Sequence, residues 1–188
     1  MAARVFLDRN FNGVFDEGDE ILPNAGLDID HHHDFQTESA DGALVRTGLD
    51  PYQRTNVSVA EQSLIDPYMK PTGGVSFVPR PGHMDEIDLP VVETAEAEGT
   101  LQLGADSGPR PLPGIKIRLL DAKGDVVQET VSAYDGYFYY SKLLPGHYTV
   151  AIDPSGRAAG YDFVLPPGFD IKPGDIKSGL VITASRRD

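Results

Sequence analysis

The segment at residues 114–150, "GIKIRLLDAKGDVVQETVSAYDGYFYYSKLLPGHYTV", alternates short apolar runs with turn residues. Ile115, Ile117 and Leu119 occupy every second position, which is the period of a β-strand with one buried face. The stretch "DAKGD" at residues 121–125 has the composition of a hairpin turn. The segment therefore predicts a run of antiparallel strands separated by turns, which is typical of a β-sandwich.

A second stretch, "GLDIDHHHDFQTESADGALVRTGLDPYQRTNVSV" at residues 26–59, has the same organisation. Each begins with Gly and a β-type run, continues through an Asp-Gly turn to a further strand, and ends in a proline bend and an alternating strand. The spacing from Gly42 to Pro51 equals the spacing from Gly136 to Pro145. Internal repetition of this kind predicts two domains of one type.

The boundary between the two domains is expected at "ETAEAEGT", residues 93–100, a small, polar and acidic stretch between two apolar runs. This places domain one at residues 1–93 and domain two at residues 94–188. The 15 Pro and 20 Gly leave few windows long enough for a helix, and only one helical turn is expected, around residues 59–66. The predicted fold class is all-β, with two tandem antiparallel β-sandwiches of immunoglobulin-like or transthyretin-like type.

The charge balance argues against several classes of partner. With 16 basic and 29 acidic residues the net charge is −13, which repels nucleic acid and anionic membrane surfaces. The chain has no Cys, so it contains no disulfide and no thiolate chemistry. No stretch approaches the roughly 18 apolar residues of a membrane-spanning helix. The opening "MAARVFLD" begins at once with a strand-like run, and we expect the chain to be a fragment of a larger protein.

The opening loop, "DRNFNGVFDEGD" at residues 8–19, carries oxygen-bearing side chains at regular spacing. It fits the pattern D-x-[DN]-x-[DN]-G followed by a closing acid, in which alternate residues supply hard oxygens to calcium. Gly13 takes the position of the sharp turn. The predicted calcium ligands are Asp8, Asn10, Asn12, the carbonyl of Val14, Asp16 and, as the closing carboxylate, Asp19, with Glu20 as its alternative.

The segments on either side of this loop do not resemble helices, so an EF-hand is not expected. A calcium ion between two strands would order the loop and would be structural, with no open position for catalysis. The alternative is a turn rich in Asn, Asp and Gly that binds nothing.

The segment at residues 114–150 closely resembles the carboxypeptidase regulatory-like, or transthyretin-like, β-sandwich family. The residues that carry this resemblance are Gly114, Asp121, Gly124, Thr130, Asp135, Gly136, Phe138, Leu144, Pro145, Gly146 and Tyr148. The resemblance implies the fold of domain two. It says almost nothing about function, because such sandwiches are accessory modules of very different proteins.

The opening "VFLDRNFNGVFDEGDEILPNAGL" resembles the start of the SdrD B-like repeats of bacterial surface proteins. The matching residues are Val5, Phe6, Asp8, Asn10, Asn12, Gly13, Asp16, Gly18 and Gly26. This resemblance implies a sandwich that binds calcium in the opening loop. The chain as a whole is also similar to the C-terminal part of large outer-membrane usher-like or surface-assembly proteins.

Two further motifs each allow a functional and a simpler interpretation. His31 and His33 could converge on a transition metal, but a solvated strand end or turn is the simpler interpretation of "DIDHHHDF". Tyr137 and Tyr139 could form a sugar-binding or partner-binding face. The simpler interpretation places Phe138 and Tyr140 in the core and the other two rings outside.

The sequence contains no nucleophile elbow, no H-E-x-x-H motif and no P-loop, and we predict that the chain is not an enzyme. The predicted function is that of a calcium-stabilised structural or interaction module of a bacterial cell-envelope or surface protein. The expected partners are other envelope, pilus or surface proteins, with no nucleic acid and no membrane insertion by this fragment. The alternative is a carbohydrate-binding module with a glycan partner.

Overall fold

The computed structural model describes residues 1–30, 32–34, 38–40, 42–104 and 108–187. The chain divides into two compact units, Met1–Glu93 and Thr94–Asp188. Both are built from β-strands, and the predicted all-β sandwich class is confirmed. The described helical turns are short 3-10 segments at Glu61–Ser63, where one turn was predicted, and at Gly156–Gly160, where none was. Within these ranges no helix has the length and apolar character needed to cross a membrane.

The described strands of the first unit form two sheets. Its strands are β1 Ala2–Leu7, β2 Glu20–Ile21, β3 Leu27–Ile29, β4 His32–Asp34, β5 Glu38–Ala40, β6 Ala43–Val45, β7 Thr55–Val59, β8 Met69–Pro71, β9 Gly74–Phe77 and β10 Glu86–Glu93. One sheet has the order β5-β6-β1-β10-β8, and β2 also pairs with β1. The other has the order β4-β3-β7-β9.

The second unit also has two sheets among the residues that the structure describes. Its strands are β11 Ala95–Leu103, β12 Arg110–Pro111, β13 Lys116–Leu120, β14 Val126–Val131, β15 Tyr137–Leu143, β16 Gly146–Ile152, β17 Tyr161–Val164, β18 Phe169–Ile171 and β19 Ile176–Arg186. In one sheet β11 pairs with β12, β15 and β19, and β19 pairs with β17. The other has the order β14-β13-β16-β18.

The two units share one topology. The pairings among β11 to β19 repeat those of the first unit in chain order, once β5 is left out. The matching strands of the first unit are β1, β2, β3, β4, β6, β7, β8, β9 and β10. Among the described strands β5 has no counterpart. The internal repeat that the sequence predicted is therefore confirmed in the strand order. The described strand pairs are antiparallel except for β1 with β10 and β11 with β19, which are parallel.

The parallel pair of the second unit depends on a close approach of two backbones. A Cβ on Gly99 of β11 would lie 2.2 Å from the carbonyl oxygen of Leu180 on β19 and 2.5 Å from the Phe138 ring. Only a residue without a side chain fits there.

Each unit has its own apolar core. Buried side chains of β1, β3, β7 and β10 form the core of the first unit. In the second unit Ile115, Ile117 and Leu119 are fully buried, as the alternation predicted, and Lys116 between them is exposed. Phe138 and Tyr140 are buried as well, so the aromatic strand contributes one face to the core.

Two tyrosines of the second unit differ in how their buried hydroxyls are satisfied. The Tyr140 hydroxyl is buried and has no hydrogen-bond partner among the described residues, and burial raises the pKa of this phenol. The Tyr148 hydroxyl donates to the carbonyl of Leu144 at 2.7 Å. An unpaired buried hydroxyl costs free energy, whereas a paired one contributes to stability.

We therefore expect Tyr140→Phe to raise the free energy of unfolding of the second unit by about 1 kcal/mol, because it removes an unsatisfied polar atom. The matched variant Tyr148→Phe should lower it by about 1 kcal/mol, because it deletes a satisfied hydrogen bond. Urea denaturation of both variants measures the two changes. A loss of stability in Tyr140→Phe equal to that in Tyr148→Phe would contradict this account.

Candidate functional site

The opening loop joins β1 to β2 at the end of the parallel strand pair. The backbone N–H of Asp8 donates to the carbonyl of Val91 on β10 at 2.7 Å, so Asp8 extends the pairing of β1 by one residue. Asp8 is buried, with 1% of its surface exposed, and most of the loop after it is exposed. The strand thus holds the first predicted ligand in place.

The carboxylate of Asp8 faces back into the loop. Its Oδ2 accepts the backbone N–H of Gly13 at 2.7 Å, and its Oδ1 accepts the backbone N–H of Asn12 at 3.2 Å. Each carboxylate oxygen has a further lone pair beyond these bonds. The buried acid therefore folds the loop around itself and keeps the capacity to bind a cation.

Two asparagines and Asp16 form the other side of the loop. The amide nitrogen of Asn10 lies 3.2 Å from both oxygens of Asp16, and that of Asn12 lies 2.7 Å from Asp16 Oδ2. The amide oxygen of Asn12 accepts the backbone N–H of Val14 at 2.7 Å. Three of the predicted ligand residues are therefore joined through their side chains, and the backbone of Val14 belongs to the same network.

The two candidates for the closing ligand have different environments. Asp19 accepts the backbone N–H of Arg9 at 3.1 Å and that of Asp16 at 3.0 Å, so its carboxylate closes the loop. The Glu20 carboxylate pairs with the Arg9 guanidinium at 3.0 Å. A cation that used Glu20 would have to break this ion pair, whereas Asp19 already faces the loop backbone.

Cation binding would require a change in the orientation of the two amides. Among the described residues, no three His, Cys, Asp or Glu side chains are arranged to hold a metal ion. The predicted calcium set draws instead on three carboxylates, two amide oxygens and one carbonyl. Asn10 and Asn12 now donate N–H groups to Asp16, and both would have to turn their oxygens toward a bound ion. The ligand assignment remains a prediction.

An aromatic contact ties the loop to the sheet. The Phe15 ring packs edge-on against Phe6, with ring centroids 5.4 Å apart and an interplanar angle of 76°. The Arg4 guanidinium lies 4.2 Å from the Phe15 ring centroid. Arg4 also donates to both oxygens of Asp88 at 2.8 Å, and this hydrogen bonding raises the pKa of Arg4 above its usual value.

Sequence reasoning missed this contact, although a signal was present. Val5 lies in the core, so strand alternation places Phe6 on the opposite face of β1. A large apolar side chain on that face needs a cover, and Phe15 in the adjacent loop supplies it. Phe6 is fully buried.

The second unit has a shorter connection at the equivalent place. Residues 104–109, "GADSGP", join β11 to β12, and residues 105–107 lie outside the described part of the chain. This connection lacks the Asn residues and the spacing of the opening loop. The candidate metal loop is therefore a feature of the first unit in an otherwise repeated topology.

The outward tyrosines of β15 interact with acids on the neighbouring strand. The Tyr137 hydroxyl donates to Glu98 at 2.5 Å, and the Tyr139 hydroxyl donates to Glu96. The bond to Glu98 raises the pKa of Tyr137 to about 12. Tyr137 and Tyr139 are 37% and 38% exposed, which confirms the predicted outward orientation. Both hydroxyls are already hydrogen-bonded to carboxylates. A glycan-binding role for this face remains a prediction.

The histidine motif lies only partly within the described residues. His31 and the side chain of His33 lie outside the described residues. The transition-metal hypothesis for these residues stays a prediction.

The fold defines a tandem β-sandwich protein, and a family model for a β-sandwich domain matches part of its second unit. The model for the second β-sandwich domain of BOS complex subunit NOMO1-like proteins matches residues 98–156. This segment lies in the second unit and includes β13 to β16. No curated protein matches the sequence.

Several solved structures are similar to the chain. GBS52, the minor pilin of the Gram-positive pathogen Streptococcus agalactiae, has 11% identity, with 100% of this chain and 95% of that chain covered and a TM-score of 0.49. A double mutant of the shaft pilin SpaA from Lactobacillus rhamnosus GG has 13% identity, coverage of 100% and 97%, and a TM-score of 0.43. The Bacillus anthracis TIE protein has 16% identity and a TM-score of 0.41, and 98% of this chain spans 34% of that structure.

Phe15 provides a test of how the loop is attached. We expect Phe15→Ala to lower the free energy of unfolding of the first unit by about 2 kcal/mol, because it uncovers Phe6 and removes the ring beneath Arg4. The control is Phe11→Ala in the same loop, where the ring is 40% exposed, and its cost should stay within about 0.5 kcal/mol. Urea denaturation measures both, and equal costs would show that Phe15 does not anchor the loop.

Proposed function

We propose that this chain is a non-catalytic spacer from a bacterial surface protein, built from two β-sandwich units, the first of which is closed by a structural calcium ion. Its partners are other proteins of the cell surface. The observation that carries the proposal is the loop at residues 8–19, in which Asp8, Asp19 and the Asn10–Asn12–Asp16 cluster close around one turn. The net charge of −13 also favours attraction of cations.

The spacer function is supported by how each unit would carry tension along the chain. β1 begins beside the start of β10, and the two strands run parallel from Ala2 with Glu86 to Leu7 with Val91. Tension on the chain pulls the start of β1 and the end of β10 in opposite directions along the strand axis. The two strands can therefore separate only by sliding past one another. All hydrogen bonds between them then resist together instead of breaking one after another.

The second unit has the same arrangement. β11 and β19 run parallel from Glu96 with Ile176 to Leu103 with Ala184. Only Thr94 separates the end of β10 from the start of β11, so tension passes from one unit to the next without an intervening linker. A chain whose repeated units each place their first and last strands side by side is suited to hold its length under force.

Calcium would reinforce the first of these strand pairs. Asp8 extends the β1–β10 pairing through its backbone and holds the loop through its side chain. An ion bound by the loop would therefore fix the end of β1. Because calcium binds the folded loop and not the unfolded chain, it would add to the stability of the first unit.

The first test is thermal melting with calcium and with chelator. Calcium at about 100 times its Kd should stabilise the first unit by about 2.7 kcal/mol, and Asp8→Ala should abolish this difference. The control is Asp121→Ala, because Asp121 caps the turn at residues 121–125 through its bonds to Lys123 and Asp125. This variant should lower stability and keep the calcium response. A wild-type melting curve that calcium leaves unchanged would overturn the calcium proposal.

The second test is single-molecule force spectroscopy with handles at the two chain ends. We expect two unfolding events, and chelator should lower the force of only one of them. Because the chain has no Cys, Glu96→Cys with Lys142→Cys gives a second pulling direction at neighbouring ends of antiparallel β11 and β15. Pulling at these points opens the strand pair one hydrogen bond at a time. The unfolding force in this direction should therefore be clearly lower than the force measured from the chain ends. Equal forces in both directions would contradict the spacer proposal.

A further inference from the structure

The dipeptide Asn12–Gly13 in the opening loop has a chemical reactivity that its neighbours lack. The backbone nitrogen of the residue after an asparagine can attack the side-chain amide carbon, and a following glycine leaves that approach unhindered. The other asparagines, Asn10, Asn24 and Asn56, are followed by Phe11, Ala25 and Val57. Both Asn12 and Gly13 are exposed, so water reaches them.

Three hydrogen bonds surround the atoms that would react. The attacking N–H of Gly13 donates to Asp8 Oδ2 at 2.7 Å, which provides an acceptor for the departing proton. The amide oxygen of Asn12 accepts the N–H of Val14 at 2.7 Å, which polarises the carbonyl and stabilises negative charge that develops on it. The leaving nitrogen, Asn12 Nδ2, lies 2.7 Å from Asp16 Oδ2.

We propose that the folded loop promotes conversion of Asn12 to an aspartyl residue through a cyclic imide. The Gly13 nitrogen forms a bond to Asn12 Cγ and gives up its proton to Asp8. The Cγ–Nδ2 bond breaks, and the leaving nitrogen takes up that proton and departs as ammonia. One water molecule from solvent then opens the imide, so the balance is asparagine plus water to aspartate plus ammonia.

The site of imide opening decides the product. Hydrolysis between Cγ and the Gly13 nitrogen yields an aspartate at this position in a normal backbone, which adds a carboxylate beside Asp8 and Asp16. Hydrolysis at the main-chain carbonyl carbon of the former asparagine yields an isoaspartyl link, which lengthens the backbone by one methylene. If the loop binds calcium as proposed above, the first product strengthens the ligand set and the second disrupts it. The conversion itself does not depend on calcium.

The test follows deamidation of the full chain during prolonged incubation at neutral pH in chelator. Fragment mass spectrometry locates the conversion of each amide, and isoaspartyl analysis separates the two products. We expect Asn12 to convert faster than Asn10, Asn24 and Asn56, and faster than Asn12 in a synthetic peptide of residues 6–20. Conversion no faster than in the peptide would overturn the proposal, because the folded loop would then contribute nothing.

Two variants separate the role of Asp8 from general loosening of the loop. Asp8→Asn should slow conversion by about tenfold or more, because an amide at this position can accept a hydrogen bond from Gly13 but cannot take up its proton. Asp19→Asn is the matched control, since Asp19 holds the loop through Arg9 and Asp16 without contacting the reacting atoms. An equal slowing in both variants would overturn the role given to Asp8. Because all samples contain chelator, failure of the calcium proposal would leave the outcome unchanged.

Discussion

Each unit of this protein depends on the parallel pairing of its first strand with its last. β1 pairs with β10, and β11 pairs with β19, and the remaining strands of the same sheet attach on either side of that pair. This pairing places the first and last strands of each unit side by side in one sheet. In the second unit it requires Gly99, because the backbone of Leu180 occupies the space of a side chain.

The opening loop is attached to this central pair at two points. Asp8 belongs to the strand through its backbone and to the loop through its carboxylate. Phe15 covers Phe6 on the face of β1 that the core does not use. Order in the loop and order at the end of β1 are therefore coupled, and a ligand or a chemical change in the loop affects the strand. The equivalent connection of the second unit is shorter and lacks these residues, so the two copies of one fold differ at this place.

Features that depend on neighbouring residues were predicted well. The burial of Ile115, Ile117 and Leu119 followed from alternation, and the inward and outward faces of the aromatic strand followed from the same period. The parallel pairing, the second 3-10 turn at Gly156–Gly160 and the cover of Phe6 by Phe15 were not predicted. The parallel pairing depends on which distant segment lies alongside β1 or β11, and no local pattern indicates that. The alternation that places Phe6 outside the core was a local signal that this ring needs a cover.

The sequence by itself determined that the chain is all-β, that it repeats, and that an oxygen-rich loop follows its first strand. These properties follow from side-chain chemistry and from a spacing of two residues. Only the tertiary structure decided which strands became neighbours, that Asp19 faces the loop while Glu20 pairs with Arg9, and that Tyr137 meets Glu98. Many strand pairings satisfy the same local pattern. Packing of the core and register across long stretches of chain select one of them.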